Sequence, residues 1–148
     1  MPNRFVPRAQ LIAQTYGFMQ RRDLERIYYD SSRALVLRRL QARPDDARLY
    51  SALGIALAGL GLKQEAIRAG QRGVELLPIS KEARLGYNRE LDLARIYTMV
   101  GESDVAVQRV ERLLSLPGFL TREWLRMDPT YDPLRSHPRF QRLLAGAR

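Results

Sequence analysis

The sequence predicts an all-α fold: antiparallel helical hairpins stacked into a right-handed solenoid and closed by a C-terminal capping segment. Three observations predict it. Apolar residues recur at helical spacing, as in Tyr50, Leu53, Gly54 and Leu57. Two segment-ending prolines, Pro44 and Pro78, stand 34 residues apart. Seven positions repeat at an offset of 40: Leu53, Gly54, Leu57, Gly61, Ala66, Val74 and Leu76 map onto Leu93, Ala94, Tyr97, Gly101, Ala106, Leu114 and Leu116. A fixed period of this length is the mark of stacked supersecondary units.

The 148 residues read as one domain of three hairpins and a cap. Residues 1–44 form a divergent hairpin, in which Ile12, Ala13 and Tyr16 align with Leu53, Gly54 and Leu57 at an offset of 41. Its second helix is expected from Asp23 to Ala42, with Leu24, Ile27, Tyr28, Ser31, Leu35 and Arg38 on one face. Residues 45–78 form the second unit, broken at Gly59-Leu60-Gly61, with Ala66, Ile67, Gly70, Val74 and Leu77 striping its second helix. The small residues Gly54 and Ala66 let its two helices approach closely. Gly70 and Gly73 are expected to remove contacts and to weaken the helix by about 1 kcal/mol each. Residues 80–118 form the third unit, whose first helix starts early, near a cap region at Ser80, Glu82 and Ala83. From Phe119 the prolines after Asp128, Asp132 and His137 force turns. A short helix is expected from Pro138 to Ala145. Trp124, Leu125, Tyr131, Leu134, Phe140, Leu143 and Leu144 are then a cap over the last hairpin.

The 34-residue period and the closing proline resemble the tetratricopeptide repeat. Residues 45–78 match its pattern at Tyr50, Leu53-Gly54, Gly61, Ala66 and Pro78, and depart from it at Leu57, Gly70 and Gly73. Residues 87–118 match at Leu93, Ala94, Tyr97, Gly101 and Ala106, without a closing proline in register. Further segments resemble the C-terminal repeat region of a group of bacterial multidomain signalling proteins. These are Tyr28-Tyr29-Asp30-Ser31, Pro44-Asp45-Asp46-Ala47-Arg48-Leu49, Asp92-Leu93-Ala94-Arg95-Ile96-Tyr97 and Asp128-Pro129-Thr130-Tyr131-Asp132-Pro133. In that group the repeats follow a serine/threonine kinase, adenylate-cyclase-like or DNA-binding module. These 148 residues contain none of them, so the resemblance implies no catalytic activity.

Composition narrows the chemistry further. There is no cysteine and one histidine, His137, which removes thiolate zinc sites and most routes to nucleophilic or general-base catalysis. Asp128 and Asp132 are too few for the six to eight oxygens calcium takes, and read as turn and cap acceptors. Gly59 and Gly61 lie between helices, the wrong setting for a phosphate loop. The expectation is a non-enzyme without cofactor or metal. The strictly apolar stretches fall far short of the ~18 residues a membrane span needs, so no membrane insertion and a cytoplasmic location are expected. The formal charge is +9, from 25 Lys+Arg against 16 Asp+Glu, with only Lys63 and Lys81 as lysines. The excess lies in residues 1–44 and 119–148, while the middle is balanced.

The function expected is protein–protein interaction. Resemblance to the repeat family implies a peptide-binding groove on the concave side, lined here by Gln10, Gln14, Arg48, Ser51, Ile55, Asn88, Leu91 and Arg95. Ser51 and Ile55 stand where carboxylate-clamp repeats carry lysine and asparagine, which argues against that specialised clamp. Ile55 and Leu91 would offer apolar area, and Arg48 and Arg95 forked donors, to an acidic-hydrophobic segment of another protein. The alternatives are nucleic-acid association through Arg21, Arg22, Arg26, Arg33, Arg38, Arg39 and Arg43, or a structural and self-association role. Those arginines spread around their helix without a stacking platform, so nucleic acid is the weaker reading.

Overall fold

A computed structural model describes residues 3–146. Among them are eight α-helices, one 3-10 turn and no strand. Three hairpins run in order: α1 (Arg8–Phe18) with α2 (Arg22–Ala42), α3 (Ala47–Gly59) with α4 (Lys63–Leu76), and α5 (Ala83–Met99) with α6 (Ser103–Ser115). After them come α7 (Arg122–Met127), the 3-10 turn Pro129–Leu134 and α8 (Pro138–Leu144). Each first helix packs on its own second helix, α3 packs also on α2 and α5, and the 3-10 turn folds back onto α5.

The repeat is visible in the turns themselves. In the second and third hairpins a glycine adopts a left-handed backbone, Gly61 at φ 77° and Gly101 at φ 82°. The next residue donates back across the turn, Leu62 N to Leu57 O and Glu102 N to Tyr97 O, both at 3.0 Å. This is the bond that closes a helix end with a left-handed residue. The first hairpin makes the same turn with Gln20 at φ 59° and Arg21 N donating to Tyr16 O at 2.9 Å. Positions 20, 61 and 101 keep the 41 and 40 offsets read from the apolar residues. At the other end, α2 and α4 stop at Arg43 and Leu77, each followed by proline, with nearly identical backbone angles. The residue before proline is driven out of the helical region, which ends the helix there.

The larger core lies at the C-terminal end. Tyr87, Leu91 and Leu93 of α5 meet Val107, Val110 and Leu113 of α6, and Leu125, Tyr131, Leu134 and Phe140 close over them. The tail thus packs its apolar residues on the third hairpin. Trp124 is the exception: it stands 54% exposed, its indole N–H donating to Asp128 Oδ2 at 3.0 Å, while its neighbour Leu125 enters the core. Asp128 Oδ1 also accepts from Thr130 N, so this carboxylate is a turn acceptor.

Two further expectations change. The buried face of α2 is Tyr29, Ser32 and Val36; Ile27, Ser31 and Arg38 of the predicted stripe are exposed. A one-residue error rotates a helix face by about 100°, and α3 selects the true face by receiving the Tyr29 ring beside Gly59. The glycines of α4 are contact points rather than losses. A Cβ at Gly70 would lie 2.8 Å from Leu93 Cδ1, and one at Gly73 would lie 3.1 Å from Ala47 O. Gly54 behaves as predicted, since its Cβ would lie 3.0 Å from Ala66 O.

Candidate interaction cleft

The eight residues expected to line one open groove fall into three groups. Gln10, Ser51, Ile55, Asn88 and Leu91 are buried, at 2–5% exposure, and cannot contact a ligand as the molecule stands. Ser51 faces α4, 3.1 Å from where a Gly73 side chain would begin. Ile55 belongs to the core formed with Ala13, Tyr29 and Ile96, and Leu91 lies beneath the cap. Arg48 folds back on its own helix start: its Nε and Nη2 donate to Asp46 at 3.0 and 2.7 Å. Only Gln14 and Arg95 reach a solvent-filled space together.

That space is a cleft of about 900 Å³. It is lined by the turn between α1 and α2, the C-terminal end of α3, Arg95 and Met99 of α5, and the 3-10 turn around Pro129 and Pro133. Its size falls within the range of small-ligand and side-chain pockets. The lining carries three arginines, Arg22, Arg26 and Arg95, against two carboxylates, Glu25 and Asp132. Both carboxylates are engaged, Glu25 with Arg22 at 2.6 Å and Asp132 with Arg135 at 2.7 Å. Arg95 is partly buried and has no carboxylate partner among the described residues; the Gln14 amide oxygen accepts from its guanidinium, and its Nε is buried without an acceptor among them. Tyr29 stands beside it, its phenol pushed up by burial and pulled partly back by the Arg95 charge. Phe18, Met99 and the two prolines supply apolar surface. The cleft can therefore receive an anionic group against apolar walls.

A second polar centre lies on α5, formed by residues that were not among those expected to bind. Arg89 is 1% exposed and donates to Asp92 Oδ2 at 3.2 Å. Burial holds its guanidinium below its ordinary value, with Asp92 opposing that shift. Arg4, from the segment before α1, donates to the other oxygen of Asp92 at 2.5 Å. The Arg89–Asp92 spacing of three residues on one helix is a pairing readable from sequence. Arg4 is 88 residues from its partner, and no local pattern signals it.

Among the described residues there is no cluster of three or more His, Asp or Glu side chains able to hold a metal ion. His137 caps α8: its Nδ1 accepts from Arg139 N at 3.2 Å, so Nε2 carries the proton toward Asp104, 2.7 Å away. No helix among the described residues is long and apolar enough to cross a membrane. Comparison of the chain with protein-family models, curated proteins and solved structures gives no match.

Proposed function

We propose that this chain is a non-catalytic protein-interaction module of the cytoplasm, a tetratricopeptide-like array, whose cleft at Gln14 and Arg95 receives an acidic-hydrophobic segment of another protein. The observation that carries this reading is Arg95: a partly buried arginine with no carboxylate partner among the described residues, opening into a cleft of about 900 Å³ with apolar walls. A carboxylate from outside would complete it with charge-assisted hydrogen bonds. The matching turns at Gln20, Gly61 and Gly101, and the packing of α3 on α5, support the repeat-array reading. The surface is small, so affinity is modest, with a Kd of ~1–100 μM.

The test is a fluorescence titration with labelled ten-residue peptides, one set alternating Glu with Leu and Phe, the other with Lys in place of Glu. The acidic set binds in this range, and Arg95→Glu weakens it at least tenfold with the helical circular dichroism unchanged. Equal binding by both sets, or a silent Arg95→Glu, rules the reading out. Nucleic-acid association would instead give an affinity that falls by orders of magnitude between about 50 and 200 mM salt.

A further inference from the structure

The residues before α1 lie across three helices, α2, α3 and α5. Asn3 O accepts from Arg89 Nη2 of α5 at 3.3 Å. The next residue, Arg4, extends its guanidinium to Asp92 of the same helix. The next, Phe5, packs against Val36, Leu49 and Ala52 of α2 and α3, with the Arg39 guanidinium 4.8 Å above its ring. One short segment thus reaches two separate contact points, the Asp92 carboxylate on α5 and an apolar pocket for the Phe5 ring.

The receiving side is the more firmly built of the two. Asp92 and Arg89 have side chains 7% and 1% exposed, and Val36, Leu49 and Ala52 are buried. Arg89 moreover keeps two buried donors, Nε and Nη1, with no acceptor among the described residues. The segment therefore leaves its host incompletely satisfied, and such donors are costly to leave unmade. The occupant is held lightly: the Arg4 side chain is 38% exposed, and among the described residues Asn3 O is the one backbone group of residues 3–6 with a hydrogen bond.

We propose that this groove over α2, α3 and α5 is a second recognition site, distinct from the Arg95 cleft and opposite to it in chemistry. Its ligand is an extended segment of a partner protein carrying a basic residue followed directly by an aromatic one. The chain's own Asn3-Arg4-Phe5 holds the site in cis, and a partner binds by displacing it. A longer segment can outcompete the internal one by supplying acceptors to Arg89 Nε and Nη1. Tethering sets the resident segment at an effective concentration on the order of millimolar, so a free segment of equal contacts binds the intact chain weakly.

A fluorescein-labelled peptide copying residues 3–8 is the probe, titrated into the full chain and into its Arg4→Ala variant, which removes the resident ion pair with Asp92. Phe5→Ser in the full chain frees the aromatic pocket instead and serves as the second route should Arg4→Ala misfold. Saturable binding to either variant is expected, at least about tenfold tighter than to the unaltered chain. A peptide with alanine at the arginine position should bind at least about tenfold more weakly, since it brings no cation to Asp92. The proposal is overturned if neither folded variant binds the peptide up to about millimolar, if the alanine-bearing peptide binds equally, or if releasing the segment produces a dimer that the peptide cannot dissociate. That last result would make a second copy the occupant.

Discussion

The first hairpin and the third make the same turn with different means. Gly101 takes the left-handed position between α5 and α6, whereas Gln20 takes it between α1 and α2. The first helix of the third hairpin is capped by Glu82, and that of the second by Asp46, while α1 starts at Pro7 with no side-chain cap. Burial differs more. Eleven of the 17 residues of α5 are buried, against Tyr29, Ser32 and Val36 in the 21 residues of α2. Leu11, Phe18, Met19, Ile27 and Leu37 of the first hairpin all stay exposed. The third hairpin is covered by a cap whose Leu125, Leu134 and Phe140 are fully buried. One backbone unit thus serves as an interior layer or as an end, and its neighbours decide which. The first hairpin should open below the global unfolding free energy, the third only with it.

The comparison is tested most severely at the cap. Phe140→Ala removes a fully buried ring from the large core and should destabilise by about 3–5 kcal/mol in urea denaturation. A loss below about 1 kcal/mol would mean that the third hairpin does not depend on its cover. Next is the joint between the hairpins. A Cβ at Gly59 would lie 2.2 Å from the Tyr29 ring, so Gly59→Ala should cost about 1–3 kcal/mol. Hydrogen exchange should then quicken in α1 and α2 while α5 and α6 keep their protection. Equal loss everywhere would show that the units unfold as one.

Smaller effects come from the caps and the turn. Asp46 accepts from Arg48 N at 3.0 Å, and Asp46→Ala should cost about 1 kcal/mol. The Arg48 side chain holds the Asp46 carboxyl below its ordinary range. Its contribution is therefore complete above the unfolded value of about 4 and is lost as pH falls through the lower folded value. Asp46→Ala should narrow its difference from the parent chain in melts taken below about pH 4; a constant difference would discount the ion pair. The smallest expected change is a gain. Gln20→Gly relieves a left-handed glutamine and, after the added freedom of the unfolded chain, should stabilise by about 0.5–1 kcal/mol. If calorimetry finds no gain, the first hairpin's turn is not where it is weaker than the others.

Sequence alone determined what local backbone chemistry decides. Helix ends before Pro44 and Pro78, the glycine turns at 61 and 101, and the early start of α5 at its Glu82 cap all follow from preferences within a few residues. The three hairpins and the helix at Pro138 were legible for that reason. The turn at Gln20 falls just before the helix expected from Asp23, but glutamine carries no turn signal of its own. Tertiary structure decided which surface each helix shows. The inward face of α2 was settled by the fit of Tyr29 against Gly59, and the fate of Trp124 by Leu125 taking the core position beside it. The candidate groove divided for the same reason: Leu91 is covered by residues 34 or more positions away, Arg48 is drawn to Asp46, and Gln14 and Arg95 remain at the cleft. Turns are short-range and read from the chain in order, whereas burial is a sum over neighbours that only the folded molecule brings together.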